Sequence, residues 1–254
     1  QHLHRLSDTI RLLGLKADAT SGELAEGMYA VLDANDLREA RCRITLTPGP
    51  PEEDCGQGGS PGATTLITAV QLPDYPAWWY QKGISVVVTS FKQIGGDPTF
   101  GHKTGCYLPR ILARREAAAK GAEDALWYTG ENLLAESCFS NVFLVLDGVV
   151  YTPPRDTPVL GGVVRAVVLE LCEKLDIPVH DDQPLTVKEM LAAVEIFLTS
   201  SCMGIRPVVR VERHAVGDEK PGVITKRIMA AYEELLDQQS RNRNNFAEGK
   251  VEEK

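Results

Sequence analysis

An α+β fold in two lobes is predicted by three features of the sequence. Helical and strand patterns come in runs, two helices then three strands in the first half and a helix then four strands before the later helices in the second, instead of strictly alternating. Periodicity disappears between Lys92 and Gly101, where Gly95, Gly96 and Pro98 separate two patterned halves. The 254 residues are 43% hydrophobic and 24% charged, an ordinary globular balance with enough chain for one large core or two smaller ones. The expected division is a smaller N-terminal α/β domain over residues 1–95, a linker over 96–102, a larger C-terminal domain over 103–236 and a polar tail over 237–254.

Taken in order, Leu3, Leu6, Ile10 and Leu13 recur at helical spacing until Gly14 stops the pattern. Thr20 begins a second helix, with Glu23 three residues on as its capping box. Residues 41–47 alternate as a strand does, and 48–63 form a loop dense in Pro and Gly that could serve as a lid. Two β-branched strands, 64–70 and 84–90, flank an aromatic loop at 75–80. Past the break, Pro109 opens an Ala/Arg-rich helix that Gly121 ends. Strands are expected at 125–128, 133–136 and 141–146, and Asp147-Gly148 is a hairpin turn into 149–152. A helix over 163–175 carries an apolar face at Val164, Val167, Val168, Leu171 and Leu175. Thr186 and Glu189 cap a short helix, 196–199 is a buried strand, and 224–236 is a final amphipathic helix.

A formal charge of −8 argues against nucleic acid or an anionic membrane as partner, since both favour a basic face. The six cysteines (Cys42, Cys55, Cys106, Cys138, Cys172, Cys202) include no Cys-x-x-Cys pair, and the five histidines show no metal-ligand spacing with them. No bound metal is expected. No apolar run could span a bilayer and no signal peptide leads the chain, so a cytoplasmic protein with reduced, mostly buried thiols is expected. The pattern opens inside a helix at Gln1, so a preceding segment is expected too.

Chemistry concentrates in the second half. Lys103 sits between the glycine-bearing break and the helix at Pro109, beside His102, Thr104 and Tyr107. A lysine withdrawn from water loses its proton more readily and can form a Schiff base with an aldehyde. Glu136 ends an apolar strand, where a carboxylate could hold a pyridine nitrogen protonated. Gly161-Gly162 opens the helix of Val163 and Val164, whose free N–H groups suit a phosphate, and Thr199-Ser200-Ser201 could add hydroxyls. Arg5 could reach an anion, and Arg43 could clamp a substrate carboxylate in a bidentate pair. Each has a plainer reading when taken alone: a solvated lysine, an edge-strand glutamate in water, a structural glycine turn, surface arginines.

The order and spacing of these motifs resemble the fold-type IV, class IV aminotransferase family, which includes branched-chain and D-amino-acid aminotransferases and aminodeoxychorismate lyases. The resemblance runs from His2-Leu3-His4-Arg5-Leu6 to the final helix. It is densest from Lys103 to Val208, through Lys103-Thr104 and Tyr107-Leu108, Ala135-Glu136, Ser140-Asn141-Val142-Phe143, Asp147-Gly148, Tyr151-Thr152-Pro153-Pro154 and Leu160-Gly161-Gly162-Val163-Val164-Arg165. It implies a two-domain D-amino-acid-aminotransferase-like fold with pyridoxal 5′-phosphate between the domains, a homodimer, and amino-acid and 2-oxo-acid substrates. It also implies that Lys103 forms the Schiff base and moves the proton, while Glu136 pairs with the ring nitrogen. Arg5, Val163, Val164 and Ser201 would hold the phosphate, Arg43 would bind the substrate carboxylate, and Tyr107 would line the site. Val164 stands where the family has a threonine, so one phosphate hydroxyl is lost. The family's leading strands have no counterpart in the sequence. Tyr107 is four positions after Lys103, a register closer to the D-amino-acid and lyase branch than to the branched-chain enzymes. The leading expectation is transamination; the alternatives are an aminodeoxychorismate lyase releasing pyruvate and 4-aminobenzoate, and a degenerate non-catalytic member.

Overall fold

The computed structural model describes residues 1–15, 17, 20–48, 63–97 and 99–247. The expected lid loop at 48–63, the Pro98 part of the break and the tail beyond residue 247 therefore lie outside the described residues, apart from Pro48 and Ala63. The chain divides into two compact units, Gln1–Asp74 and Tyr75–Lys254.

The first unit holds α1 (His2–Leu12), α2 (Ser21–Ala34), β1 (Ala40–Thr47) and β2 (Thr64–Gln71). The capping box at α2 forms as its sequence requires: Glu23 N donates to Thr20 Oγ1 at 3.2 Å, and Thr20 N donates to Glu23 Oε2 at 2.7 Å. β1 and β2 pair antiparallel with Ile44 opposite Ile67 and Arg43 opposite Thr68. Helix α2 packs against this two-stranded sheet, which would be marginal alone.

The second unit begins with α3 (Trp78–Gln81), a short helix where an aromatic loop was expected, followed by β3 (Ile84–Gln93). Then come α4 (Leu108–Ala119), β4 (Asp124–Thr129), β5 (Leu134–Ser137), β6 (Asn141–Leu146), β7 (Val149–Tyr151), α5 (Val163–Lys174) and β8 (Val179–His180). The chain ends with α6 (Val187–Ala192), β9 (Glu195–Ser200), β10 (Gly204–Val211), β11 (His214–Ala215) and α7 (Val223–Ala247). The strands form a nine-stranded sheet, ordered β11-β10-β3-β4-β5-β6-β7-β8, with β9 pairing both β10 and β6. That double pairing closes β10, β3, β4, β5, β6 and β9 into a ring. Alternate residues point inward and outward along each strand. Leu126, Val142, Leu144, Ile196 and Leu198 belong to one core cluster, while Phe143, Val145 and Phe197 pack in another with Val164, Val168 and Leu171 of α5.

Two expectations are corrected here. β3, assigned from sequence to the first domain, runs parallel to both β4 and β10, so the division falls at Asp74 and not near residue 95. The glycines at 95–96 follow a strand already committed to the larger sheet. The final helix, expected to end near residue 236, runs on as far as Ala247 into the expected tail. The thiols also differ from expectation. Cys138 and Cys172 are buried, but Cys42 and Cys202 are only half-buried and Cys106 is exposed in the loop before α4. Burial pushes the Cys138 thiol up to about 12 and that of Cys172 to about 11, which leaves both unreactive at neutral pH. No helix among the described residues is long and apolar enough to cross a membrane.

Helix α7 starts from a cap supplied by another element. Glu195 of β9 accepts hydrogen bonds from Ile224 N at 3.0 Å and Thr225 N at 2.7 Å. Residue 222 must be glycine for this approach, since any Cβ there would overlap the Glu195 carboxyl group. Glu195→Ala leaves two helix N–H groups without acceptors and is expected to cost about 1–2 kcal/mol. A urea unfolding series unchanged within error would show the cap to be idle.

Candidate active site

Glu136 is the centre of the site. It belongs to β5, whose four residues are all buried, and is itself 5% exposed. A buried carboxylate needs donors, and this one has three. Arg110 Nη2 donates to Oε1 at 2.5 Å, Gln93 Nε2 to the same oxygen at 3.2 Å, and Leu160 N to Oε2 at 3.0 Å. They come from the first turn of α4, the end of β3 and the segment preceding α5. Three elements distant in sequence therefore converge on one side chain.

Register brings the other predicted motifs to the same place. Asn141, the first residue of β6, lies opposite Glu136 on one side and Thr199 of β9 on the other. Its amide nitrogen donates to Leu160 O at 2.8 Å, and its amide oxygen occupies the space that a Cβ on residue 162 would need. Gly162 is thus required by close approach, and it is also the N-cap of α5 with no side chain to cap that helix. The first-turn N–H groups of Val163 and Val164 receive no N-cap side-chain acceptor, which is the arrangement that accepts an anion. Val164 is buried in the core cluster of Phe143 and Val168, so the valine side chain serves packing here. Thr199 Oγ1 is buried without a partner among the described residues, as is Gln93 Oε1.

Lys103 precedes α4 and is exposed, with its Nζ 5.9 Å from the Tyr107 ring centroid. The expectation of a lysine withdrawn from water is therefore not met, since its side chain is exposed. Tyr107 is the N-cap of α4, and its ring lies 6.0 Å from that of Phe139 in the β5–β6 turn. The lysine end of α4 is tied in this way to the turn that follows Glu136. Ser201 is exposed in the turn after β9. Lys103, Tyr107, Glu136, Val163, Val164 and Ser201 all belong to the second unit, whereas Arg5 on α1 and Arg43 on β1 belong to the first. Arg5 is half-buried with its guanidinium 3.5 Å from His2 Nδ1; Arg43 is exposed.

Sequence reasoning missed several residues that build the site. Arg110 looks like one of three arginines on a polar helix face, yet Nη1 donates to Ser137 O at 2.7 Å and the guanidinium sits 5.1 Å from the Trp127 ring centroid. Below the turn, Asp124 and Arg206 form a buried ion pair at 2.8 Å. Asp124 also accepts from Ser137 Oγ at 3.2 Å and Cys138 N at 3.3 Å, while Arg206 donates to Ser140 Oγ at 3.2 Å. The pair thus fastens both arms of the β5–β6 turn. No local pattern signals a partner that lies on another strand.

The donor set fits pyridoxal 5′-phosphate. A buried carboxylate keeps one acceptor position open for a ring nitrogen, a glycine-opened helix offers N–H groups to a phosphate, and a lysine stands at the start of the neighbouring helix. Among the described residues, no group of three or more His, Cys, Asp or Glu side chains could hold a metal ion.

The family model described as amino-transferase class IV matches residues 1–211. The fold superposes on the crystal structure of the Escherichia coli branched-chain amino acid aminotransferase with a TM-score of 0.86 and 27% identity, covering 92% of this chain and 78% of that one. The D-alanine aminotransferase of Bacillus licheniformis is 26% identical over 239 residues, 93% of this chain and 81% of its own length. A Legionella pneumophila structure provisionally named a 4-amino-4-deoxychorismate lyase gives a TM-score of 0.81 and 26% identity, covering 93% of this chain and 84% of that one.

Proposed function

The chain belongs to the class IV aminotransferase family, a pyridoxal 5′-phosphate-dependent group of fold type IV, and on that premise we propose that Lys103 and Glu136 carry a transamination between an amino acid and a 2-oxo acid. The observation that carries this reading is the register Glu136–Asn141–Thr199, with Gly162 held against Asn141. It sets the Glu136 strand, the start of α5 and Thr199 around Asn141.

When bound, pyridoxal 5′-phosphate supplies an electron sink for the charge that develops at the substrate Cα. Lys103 would hold the cofactor's aldehyde carbon through its amine and would be the group that moves the proton at the substrate Cα. Glu136 would accept the ring N–H through Oε2, which among the described residues takes Leu160 N as its one donor. The N–H groups of Val163 and Val164, with Ser201 and Arg5, would hold the phosphate. Arg43 binds the substrate carboxylate, and Tyr107 lines the site beside Lys103. The working form we assign is a homodimer in the cytoplasm, and light scattering on the purified protein tests the dimer.

A second reading is the lyase, favoured by the four-residue spacing from Lys103 to Tyr107 and by the likeness to the Legionella structure. The two readings share every residue named above and differ in what leaves the substrate. The deciding experiment presents 2-oxoglutarate with a panel of L- and D-amino acids, and separately aminodeoxychorismate alone. Glutamate formation with at least one donor is the expected result. Pyruvate released from aminodeoxychorismate without any amino acceptor would move the assignment to the lyase, and no product in either arm would leave a non-catalytic member.

A further inference from the structure

The Glu136 carboxylate is held asymmetrically, and the asymmetry comes from Arg110. A carboxylate offers about four lone-pair positions. Oε1 takes two donors, Arg110 Nη2 and Gln93 Nε2, whereas Oε2 takes only Leu160 N. The guanidinium is fixed on three sides: to Oε1, to the Ser137 carbonyl, and by its approach to the Trp127 ring, which stacks on Phe91 with centroids 5.9 Å apart. The Arg110 side chain is 16% exposed, so solvent screens the pair weakly. Gln93 is locked too, because Nε2 also donates to Pro158 O at 3.0 Å. The carboxylate cannot turn to offer Oε1 without breaking its bonds to both Arg110 and Gln93.

We propose that Arg110 is a positioning residue for the cofactor: it occupies Glu136 Oε1, leaves Oε2 as the acceptor for the ring nitrogen, and places a fixed positive charge behind that carboxylate. The proposal rests on the reading of Glu136 as the ring-nitrogen partner. Arg110 touches neither the cofactor nor the substrate in this role and acts only through Glu136. Its guanidinium does two separable things. The planar fork serves Glu136 and the Ser137 carbonyl at once, which sets geometry. The charge opposes protonation of any group near it, which sets the pH at which the bound cofactor changes colour.

The test uses the cofactor itself. Pyridoxal 5′-phosphate is titrated into cofactor-free wild type, Arg110→Met, Arg110→Lys and Glu136→Gln, giving a dissociation constant for each. The visible band of each loaded protein is then followed with pH. Arg110→Met is expected to bind about ten- to a hundredfold more weakly, as loss of a hydrogen bond to a charged group implies. Its colour midpoint should move upward by roughly one pH unit, because a neighbouring cation has gone. Arg110→Lys should return the midpoint to the wild-type value while affinity stays intermediate, since an ammonium restores the charge but not the fork. A midpoint that stays put in Arg110→Met, or one that moves and is not rescued by lysine, reduces Arg110 to a structural residue and overturns the proposal. If Arg110→Met does not fold, Arg110→Lys decides: weakened binding at an unchanged midpoint supports the proposal, and wild-type affinity overturns it. Glu136→Gln separates the two layers. Wild-type affinity and midpoint in that variant would remove the ring-nitrogen role from Glu136 itself, whatever Arg110 does.

Discussion

Lys103→Ala is expected to abolish the visible band of the cofactor-loaded protein and to lower turnover by about a thousandfold or more, the loss associated with removing a nucleophile that also moves the proton. Stability should change by no more than about 0.5 kcal/mol, because the side chain is exposed and its Nζ stands 5.9 Å from the Tyr107 ring centroid. That combination, an intact fold with no chemistry, distinguishes a reacting lysine from a structural one. Lys103→Arg is expected to fail equally, since the charge is kept but the amine nucleophile is lost. Borohydride reduction of the loaded wild type followed by peptide mass spectrometry locates the attachment independently. A pyridoxyl group found on any other lysine, or a colour retained by Lys103→Ala, would end the assignment.

The largest expected loss of stability lies beneath the site. Arg206 is 1% exposed and pairs with Asp124, which is 3% exposed. Arg206→Ala leaves the Asp124 carboxylate buried without its cation, an error that costs about 3–5 kcal/mol in comparable buried pairs. The loss should spread to the cofactor, because the same pair holds Ser137 and Ser140 on either side of the β5–β6 turn. Replacing both members, Arg206→Met with Asp124→Leu, should recover most of the stability, as apolar substitutes for buried pairs commonly do. Cofactor affinity should not recover with it, since the turn's hydrogen bonds to Asp124 and Arg206 are gone. Urea unfolding of the single and double variants measures the first effect, and pyridoxal 5′-phosphate titration the second. A single-variant cost below about 1 kcal/mol would mean that water reaches the pair and that this account of the turn is wrong.

How much of this was legible beforehand depended on the range over which each signal acts. The capping boxes at Thr20 and Thr186 and the Asp147-Gly148 hairpin turn form where residues a few positions apart demand them. β10 was not visible, because Arg206, Pro207 and Arg210 interrupt any β-branched run. Its pairing with β9 and β3 supplies the stabilisation that its own composition lacks. The same holds for the domain division. A glycine-rich break is a local feature, but β3 is claimed by two strands that follow it in the chain.

Lys103, Glu136, Gly162 and Ser201 could be singled out from sequence by itself as candidates, because each sits in a short motif whose order along the chain matches one chemistry. Sequence also determined the family and the cofactor class, since those rest on residue identity and spacing. Only the tertiary structure decided what surrounds Glu136. Arg110, Gln93, Asn141, Asp124 and Arg206 have no distinguishing neighbours in sequence, and their roles exist only because strand register sets them opposite partners tens of residues away. A buried charge is specified by its partner, and a partner across a sheet is a fact of three-dimensional pairing that no stretch of the chain carries alone.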